Sequence, residues 1–508
     1  MKNRRYCNIL SSMEENIQDV SARGIPDVPK EKFAFVQRDT SLGDVKLTTK
    51  SISYMQDALS RFARNRGSVV CFVIIMLLAF YAFFAPLFSP YSMSDKDGYY
   101  AYVTPRSRFF SRLGFWDGGR KLEVNAVSFQ YYSAIPGAVM KSYGKVEKEV
   151  AKRRQTYYSL KLDSYARVGY VKMLLTSAEW VEARAWEKAS GRQLFYPVID
   201  QDKVKFQPYK NDMNAWFQTD AKGVAVTDGQ GNLQDIYLAD SSSPDGLAYY
   251  ISRMKGSQYE TRVLYSEWYY YKNGREPSFL FGTDMAGYDI FTRLAHGARL
   301  SLILSLSVSA INLLLGIIIG AAEGYYGGAF DLFFERVKDI IYEVPTQVTM
   351  VLFQIYLAKK LGPIVALFFA FIFYGWIGVS STVRAQFYRF KGQDYVNASR
   401  TLGAGDWRLI FRHILPNAAG FIITASVLRI PSVIFSEANL TYLGIVNLDS
   451  DAMTSVGTML NSAKDALASY PHTVFFPGAF ISLLLVCFNE FGNGLRDAFN
   501  PTLRGAEE

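Results

Sequence analysis

The chain has 508 residues, 50% of them hydrophobic and 15% aromatic, which excludes a disordered polypeptide and leaves room for more than one folded unit. Its formal net charge of +9 comes without a Lys/Arg stripe interleaved with aromatic residues, so it argues against a nucleic-acid surface and fits the charge bias of a membrane protein. The mean hydropathy of +0.03 conceals a segregation into polar and strongly apolar segments.

Residues 1–50 are polar, lack sustained periodicity and read as a cytoplasmic tail. Between 51 and 66, Ile52, Met55, Leu59 and Phe62 share one helical face and Arg61, Arg64 and Arg66 follow, the pattern of an interfacial helix that closes the 1–66 amino-terminal region. The apolar run 67–88 is long enough to cross a bilayer, starts too deep in the chain for a cleavable leader, and is preceded by arginines that put its start in the cytoplasm. Cys7, Cys71 and Cys487 provide neither a CxxC pair nor a disulfide framework, so anything outside the cell is expected to stand without disulfides.

Residues 91–280 follow, a polar stretch the size of one domain. Helical periodicity is read at 145–160 and 168–190, whereas KVKFQPY, GVAVTDGQGNLQDIYLAD and TRVLYSEWYYY read as strands and a hairpin. The expectation is an inserted extracytoplasmic α+β domain, its tyrosines serving core and surface ahead of any peptide-contacting role. Residues 281–299 read as an amphipathic segment at the outer surface, with Gly297 allowing tight entry into the membrane. Asp284 and Asp289 with His296 are too few ligands for a cation site, so the carboxylates are assigned to N-capping or surface pairing and no metal is expected.

Further apolar stretches at 300–322, 341–358, 363–383, 417–437 and 473–490 bring the expected spans to six, the 341–358 stretch being marked by Glu343, Pro345 and Gln347 at its entry. Alternation from a cytoplasmic amino terminus puts 91–299 outside, 323–340 inside, 359–362 outside, 384–416 inside, 438–472 outside and the tail 492–508 inside. Arg384, Arg389, Lys391, Arg400, Arg408 and Arg412 against Asp394 and Asp406 support an inner 384–416 loop. In the 323–340 loop Glu323, Asp331, Glu335 and Asp339 outnumber Arg336 and Lys338, but acidic residues count little in that rule. Asn312, Gly316 and Gly320 mark close helix packing. In the fifth span Arg429 and Glu437 are candidates for the translocation pathway or a subunit interface, against a structural ion pair or a snorkelling side chain, and Pro431 is expected to kink the helix.

Enzymatic readings find no support. GYYGGA at 324–329 lacks the Lys-Ser/Thr of a phosphate loop and reads as a turn, no GxxxxGK[ST] occurs, and His296, His413 and His472 belong to no HExxH or other catalytic pattern. No catalytic residue and no cofactor of its own are therefore expected on this chain.

The stretch 394–417, DYVNASRTLGAGDWRLIFRHILPN, is expected to present short helices on the cytoplasmic side: Gly403 and Gly405 end one, Asp406 caps the next, and Pro416 marks the turn into the membrane. It resembles the EAA loop of binding-protein-dependent ABC permeases, a pattern of Glu-Ala-Ala, three residues, Gly, and a closing apolar-x-Leu-Pro. Asn397, Ala398, Ser399, Gly403 and His413 to Pro416 stand in the corresponding places, with Asn397, Ser399 and His413 departing from the family's usual types. FGTDMAGYDIFTRLAHGARLSL (281–302), with Gly282, Thr283, Asp284, Gly287, Asp289, Gly297, Ala298 and Arg299, GYYGGAFDLFFERVKDIIYEVP (324–345) and FNEFGNGLRDAFNP (488–501) are similar to the C-type permease of the oligopeptide and dipeptide importers.

That resemblance spans the first apolar run and about 279–501, and offers no counterpart for 91–280. It implies an all-α polytopic membrane protein of six transmembrane helices with a MetI-like type I importer core over 300–491. It further implies a coupling loop 394–416 in which Asn397, Ala398, Ser399, Gly403, Ala404, Asp406 and Pro416 dock an ATPase. The implied partners are a second homologous permease, two ABC ATPase subunits that bind ATP and Mg, and an extracytoplasmic peptide-binding protein. Peptide import by alternating access across the cytoplasmic (inner) membrane would be the function. Nickel or another small solute as cargo, and a membrane-anchored sensor or scaffold, are the competing readings.

Overall fold

The computed structural model describes residues 54–107, 109–133, 135–150, 153–199 and 249–499. The tail 1–50 and the strands expected in KVKFQPY and GVAVTDGQGNLQDIYLAD lie outside the described residues.

Helix α1 (Tyr54–Arg64) ends just before Asn65, whose side chain accepts from the Ser68 amide and so caps α2 (Arg66–Phe88). Leu77, Phe80, Leu87 and Phe88 of α2 are exposed, an apolar outer face that suits lipid. Among the described residues, five helices are long and apolar enough to cross a membrane, or six if a pair bent by 81° counts as one span. They include α2, α6 (Ile290–Tyr326), α9 (Pro363–Phe390), the run Asp406–Tyr442 and α14 (His472–Phe499). The bent pair is α7 (Gly328–Glu343) with α8 (Thr346–Leu361).

Two expectations for this region need correction. Residues 323–340 are not a loop: α6 runs on to Tyr326, α7 occupies Gly328–Glu343, and the chain turns at Val344–Pro345. A proline lacks the amide a helix needs and biases its predecessor toward extended backbone, so the break falls there rather than at the charged residues. Likewise 281–299 is not a separate surface helix, because α6 is continuous from Ile290, with Asp289 as its N-cap. Gly297 meets neighbouring backbone: a Cβ there would lie 3.0 Å from the Ser455 carbonyl carbon, at the start of α13 (Val456–Ala463).

Pro416 does not turn the chain either. It sits in the first turn of α11 (Leu415–Val427), continuous with a π-helical turn Leu409–Ile414, where the ladder adjusts to the missing amide. A two-residue turn at Leu428–Arg429 separates α11 from α12 (Ile430–Tyr442), and Pro431 sits in the first turn of α12.

Close approach of α6 and α9 rests on absent side chains. A Cβ on Gly316 would come within 2.5 Å of Val379, on Gly320 within 2.3 Å of the Ser380 carbonyl oxygen, and on Gly324 within 2.4 Å of Phe387 Cβ. Residues four apart share one helix face, so the three glycines make a continuous flat strip.

Between α2 and α6 the fold changes character. β1 (Gly119–Val124), β2 (Val139–Val150) and β3 (Arg153–Asp163) form an antiparallel sheet in the order β1-β3-β2, with α3 (Ala126–Ser133) between the first two. β4 (Tyr170–Thr176), β5 (Phe195–Tyr196), β8 (Ser252–Lys255) and β9 (Gln258–Leu264) form a second, and β6 (Val198–Ile199) pairs with β7 (Tyr249–Tyr250). The helix read at 145–160 is thus the β2–β3 hairpin, registered Val146 to Tyr157 and Lys148 to Gln155. Charges there alternate across a sheet face, Lys148 pairing with Glu123, and this mimics helical amphipathicity. Within 168–190 only Ser177–Ser190 (α4) is helical, started by a Thr176–Glu179 capping box.

TRVLYSEWYYY splits at Leu264: β9 ends there and Tyr265–Asn273 is helix α5. Its aromatic composition favours strand, yet Tyr265, Trp268 and Tyr269, at i, i+3 and i+4, are all buried in one cluster with Tyr100, Tyr165 and Phe279. This tertiary packing decides the local state. The ends of the segment run antiparallel: Tyr102 N donates to Asp284 O (3.0 Å), Thr283 N to Val103 O (3.1 Å) and Arg106 N to Phe279 O (2.9 Å). Gly287 (φ +84°) makes this possible, since a Cβ would fall 1.9 Å from the Asp97 carbonyl oxygen.

Candidate functional site

Three constellations bear on function: the 394–416 loop, a buried charge network beside it, and a largely apolar cavity between the helices that carries a few polar groups. In the loop, α10 (Asp394–Thr401) is anchored through Val396, buried with Leu409, Ile410 and Ile414 against Val379, Val383 and Phe387 of α9. Gly403 takes a left-handed φ of +85°, reversing the chain, and Ala404 N donates to Ser399 O (3.1 Å) across the turn. Asn397 Nδ2 donates to Gly392 O (3.2 Å) and Ser399 Oγ to Tyr395 O (2.8 Å). Asn397, Ala398, Gly403, Asp406 and Pro416 are exposed, and Ser399 and Ala404 are half-buried.

Asp406 does not cap the following turn. Gly405 holds the cap position in extended geometry, and Asp406 lies one residue inside, where its carboxylate accepts from Tyr325 Oη at 2.5 Å. Negative charge in a first turn is favourable. The bond also ties the loop to the inner end of α6. Leu402 and Trp407, 88% and 75% exposed, stand out as large apolar side chains on an otherwise polar surface, and Trp407 packs on Phe411 with ring centroids 4.1 Å apart.

Beside the loop lies a network that the sequence reading passed over. Lys338 Nζ, 3% exposed, donates to Glu323 Oε2 (2.6 Å) and to Glu335 Oε1 (2.7 Å). Arg384 makes a bidentate contact with Asp331 (2.5 and 2.7 Å), Tyr388 Oη donates to Asp331 (2.8 Å), and Ser380 Oγ donates to Glu323 (3.0 Å). Carboxylate oxygens of Glu323, Asp331 and Glu335 lie within 4.8 Å of one another, but Lys338 and Arg384 already supply the positive charge between them. The three acids therefore belong to an ion-pair network linking α6, α7 and α9. The Glu335–Lys338 spacing of three was the available signal, masked by counting the stretch as a loop.

The cavity, about 490 Å³, lies between α6, α8, α9 and α12, and its lining includes Ser309, Asn312, Gln347, Tyr374, Arg429 and Ser436. Arg429 stands in the turn between α11 and α12 with its guanidinium over Gly378, where a Cβ would be 2.5 Å from Nη1. Glu437 goes elsewhere: 1% exposed, it accepts from Ser301 Oγ at 2.6 Å, in the packing of α12 on α6. Arg429 and Glu437 form no ion pair, and only Arg429 lines the cavity. Burial of this kind is tolerable for Glu437 because hydroxyls satisfy it.

At the outer end of α6, Asp289 Oδ2 accepts from Thr292 N (2.9 Å) and Thr292 Oγ1 (2.5 Å), the N-cap expected for it. Asp284 Oδ1 accepts from Ala286 N (2.9 Å) and Tyr288 N (3.0 Å), closing its own turn. Burial pushes the Asp289 carboxyl up to about 6.

Apolar helices around a cavity that carries several polar side chains, with a helical loop presented at one end, fit a multi-pass membrane permease. Residues 312–505 match the family model described as binding-protein-dependent transport system inner membrane component, and residues 53–105 match the N-terminal TM domain of oligopeptide transport permease C. The oligopeptide transport system permease protein OppC of Bacillus subtilis (strain 168) is 42% identical over 224 residues, 44% of this chain and 72% of the relative. The dipeptide transport system permease protein DppC of the same organism is 37% identical over 225 residues, 44% of this chain and 69% of the relative. A solved structure described as inward-facing conformations of the MetNI methionine ABC transporter superposes with a TM-score of 0.33 at 14% identity, covering 41% of this chain and 96% of that one.

The chain belongs to the OppC/DppC-like permeases of binding-protein-dependent transport systems. The match over 53–105 includes residues 91–105, which therefore have a counterpart in that family model.

Proposed function

We propose that this chain is one of two permease subunits of an ABC importer that carries peptides inward across the cytoplasmic membrane, driven by ATP and Mg bound to two partner ATPase chains. An extracytoplasmic peptide-binding protein delivers the cargo and a second, homologous permease completes the pathway. The amino terminus and the 394–416 loop face the cytoplasm, and the segment between α2 and α6 lies outside.

The observation that carries this reading is the build of the loop. Val396 fixes α10 to the helical core, Tyr325 ties Asp406 to α6, and Leu402 and Trp407 are left exposed on the outer side. A rigidly held element with an apolar tip transmits displacement when the tip packs into a groove of another chain. Asn397, Ala398, Ser399, Gly403, Ala404, Asp406 and Pro416 form or flank that tip, and ATP-driven closure of the ATPases would move α6 and α9 through it.

Affinity purification of the solubilised chain tests this. The native protein is expected to bring down two ATPase chains and a second permease, and a Gly403→Pro, Ala398→Asp double variant to lose the ATPases but keep the permease. Absence of any ATPase from the native preparation would favour an anchored sensor instead.

For the segment between Arg106 and Phe279 we propose a role in docking the peptide-binding protein or shielding the outer mouth. It is supported by the pairing of residues 97–106 with 279–288 directly before α6. Uptake and receptor docking that survive replacement of 107–278 by a short linker would remove this role.

A further inference from the structure

The cavity beside Arg429 carries an imbalance that the helices themselves do not settle. No aspartate or glutamate is among the described residues that line it, and the Arg429 guanidinium makes no hydrogen bond or ion pair with any described residue. A cationic group placed among apolar helices is costly unless it meets water or an anion. A second imbalance lies on the same wall. Asn312 is 4% exposed and gives its Nδ2 to Phe371 O (3.4 Å), which fixes the amide's orientation and leaves Oδ1 buried without a partner. The Ser309 hydroxyl, one turn earlier on α6, is also buried without one. Buried polar atoms are satisfied in the great majority of folded proteins, so orphans facing a cavity mark a place where another molecule supplies the partner.

The two imbalances are of opposite kind and are close together. A Cβ at Gly375 would lie 3.1 Å from Asn312 Oδ1, and one at Gly378 would lie 2.5 Å from Arg429 Nη1. Gly375 and Gly378 are three residues apart on α9, so the unpaired acceptor and the unpaired cation meet α9 at places about one helical turn apart.

We infer that this cavity is a subsite for the carboxyl-terminal end of a peptide, with Arg429 receiving the terminal carboxylate and Asn312 Oδ1 accepting the adjacent backbone N–H. The inference rests on the peptide-import reading above. A carboxylate and an amide N–H one residue apart are what such a cation and acceptor require, and a guanidinium meets a carboxylate with two parallel hydrogen bonds. Gly375 and Gly378 keep the wall open, because a side chain at either place would occupy the space in which Asn312 and Arg429 now lie. Nothing covalent happens in the subsite; it would hold one end of the cargo in passing, and release follows when the helices rearrange.

The test uses the assembled importer in proteoliposomes: this chain with its second permease, ATPases and receptor. Uptake of one tripeptide is compared with that of its C-terminal amide, both at concentrations that saturate the receptor, in native, Arg429→Gln and Arg429→Lys proteins. The native importer is expected to move the free acid about tenfold faster than the amide, the worth of one charge-assisted contact. Arg429→Gln should bring that ratio close to one by slowing the acid alone, and Arg429→Lys should retain most of it.

An acid-to-amide ratio unchanged by Arg429→Gln overturns the subsite. So does an equal loss of both peptides together with loss of the second permease on purification, which would make Arg429 an interface residue. A native importer that takes up neither peptide but does take up another solute defeats the peptide reading itself, a result separate from equal handling of the two peptides, and the inference falls with it.

Discussion

The helical core and the sheet-bearing segment between α2 and α6 are held together by opposite means. In the core, backbones meet where side chains are missing, as along Gly316, Gly320 and Gly324, and buried acids are met by Lys338 and Arg384 or, at Glu437, by hydroxyls. The other segment is filled by bulk: Tyr100, Tyr165, Tyr265, Tyr269, Trp268 and Phe279 form its centre, and the guanidinium carbons of Arg106 and Arg275 lie 4.1 and 4.5 Å from the ring centroids of Tyr165 and Tyr91. The contrast follows the surroundings. Apolar helices gain little by leaving lipid, so they associate through close packing and paired polar groups, whereas aromatic burial from water rewards area.

The sharpest way to break this comparison is to unbalance the core. Lys338→Met leaves the Glu323 carboxylate, 0% exposed, without its cation and should destabilise the protein by about 3–5 kcal/mol in detergent melting. Adding Glu323→Gln to that variant should recover most of the loss. Next in size is a pH effect where the two regions meet, at Asp289. Its folded value of about 6 exceeds the ordinary 3.8, so its contribution is complete below about pH 4 and is lost as pH rises through 6, a change of about 3 kcal/mol. Asp289→Asn keeps a capping oxygen and should flatten the melting profile across that window.

Smaller changes sharpen the picture. Gly320→Val drives a Cβ into the Ser380 carbonyl and should lower stability by about 1–3 kcal/mol, read as a melting shift with α6 and α9 splayed. In the aromatic segment, Tyr265→Phe removes a hydrogen bond to Asp97 Oδ2 (2.5 Å) and should cost about 1.5 kcal/mol, seen as faster hydrogen exchange in β9 and α5. Tyr100→Phe should act the other way. The Tyr100 hydroxyl is buried without a partner, and deleting it is expected to stabilise by about 1 kcal/mol in the same exchange assay.

Hydropathy and loop charge were enough to read α2, α6, α9 and α14 from the sequence, because a long apolar run has few alternatives once a bilayer is its solvent. Capping by Asp289 and the strip through Gly316 and Gly320 were legible for the same local reasons. What escaped was decided at a distance. The charges of 323–340 suggested a loop because nothing local says that Lys338 will meet Glu323, fifteen residues earlier, and Ser380, on another helix, will share the same carboxylate. Between α2 and α6, YSEWYYY follows its tertiary cluster and not its strand propensity, and the hairpin at 139–163 carries charges whose spacing fits a helix equally well. At the candidate sites, Arg429 and Glu437 were both visible as ionisable residues in a span, but their separation depends on which face of α12 meets α6, and composition does not encode that.

The antiparallel contact of residues 97–106 with 279–288 has a further meaning for how such a chain is put together. Because the polypeptide leaves at Arg106 and returns at Phe279 within one hydrogen bond, the core sees the ends of the excursion as neighbours whatever lies between them. Closure entropy grows only with the logarithm of loop length, so a tight turn and a whole folded cassette burden the core by amounts that differ by little. The seam between Arg106 and Phe279 is therefore a socket: the length of what is carried there burdens the helices beneath by little.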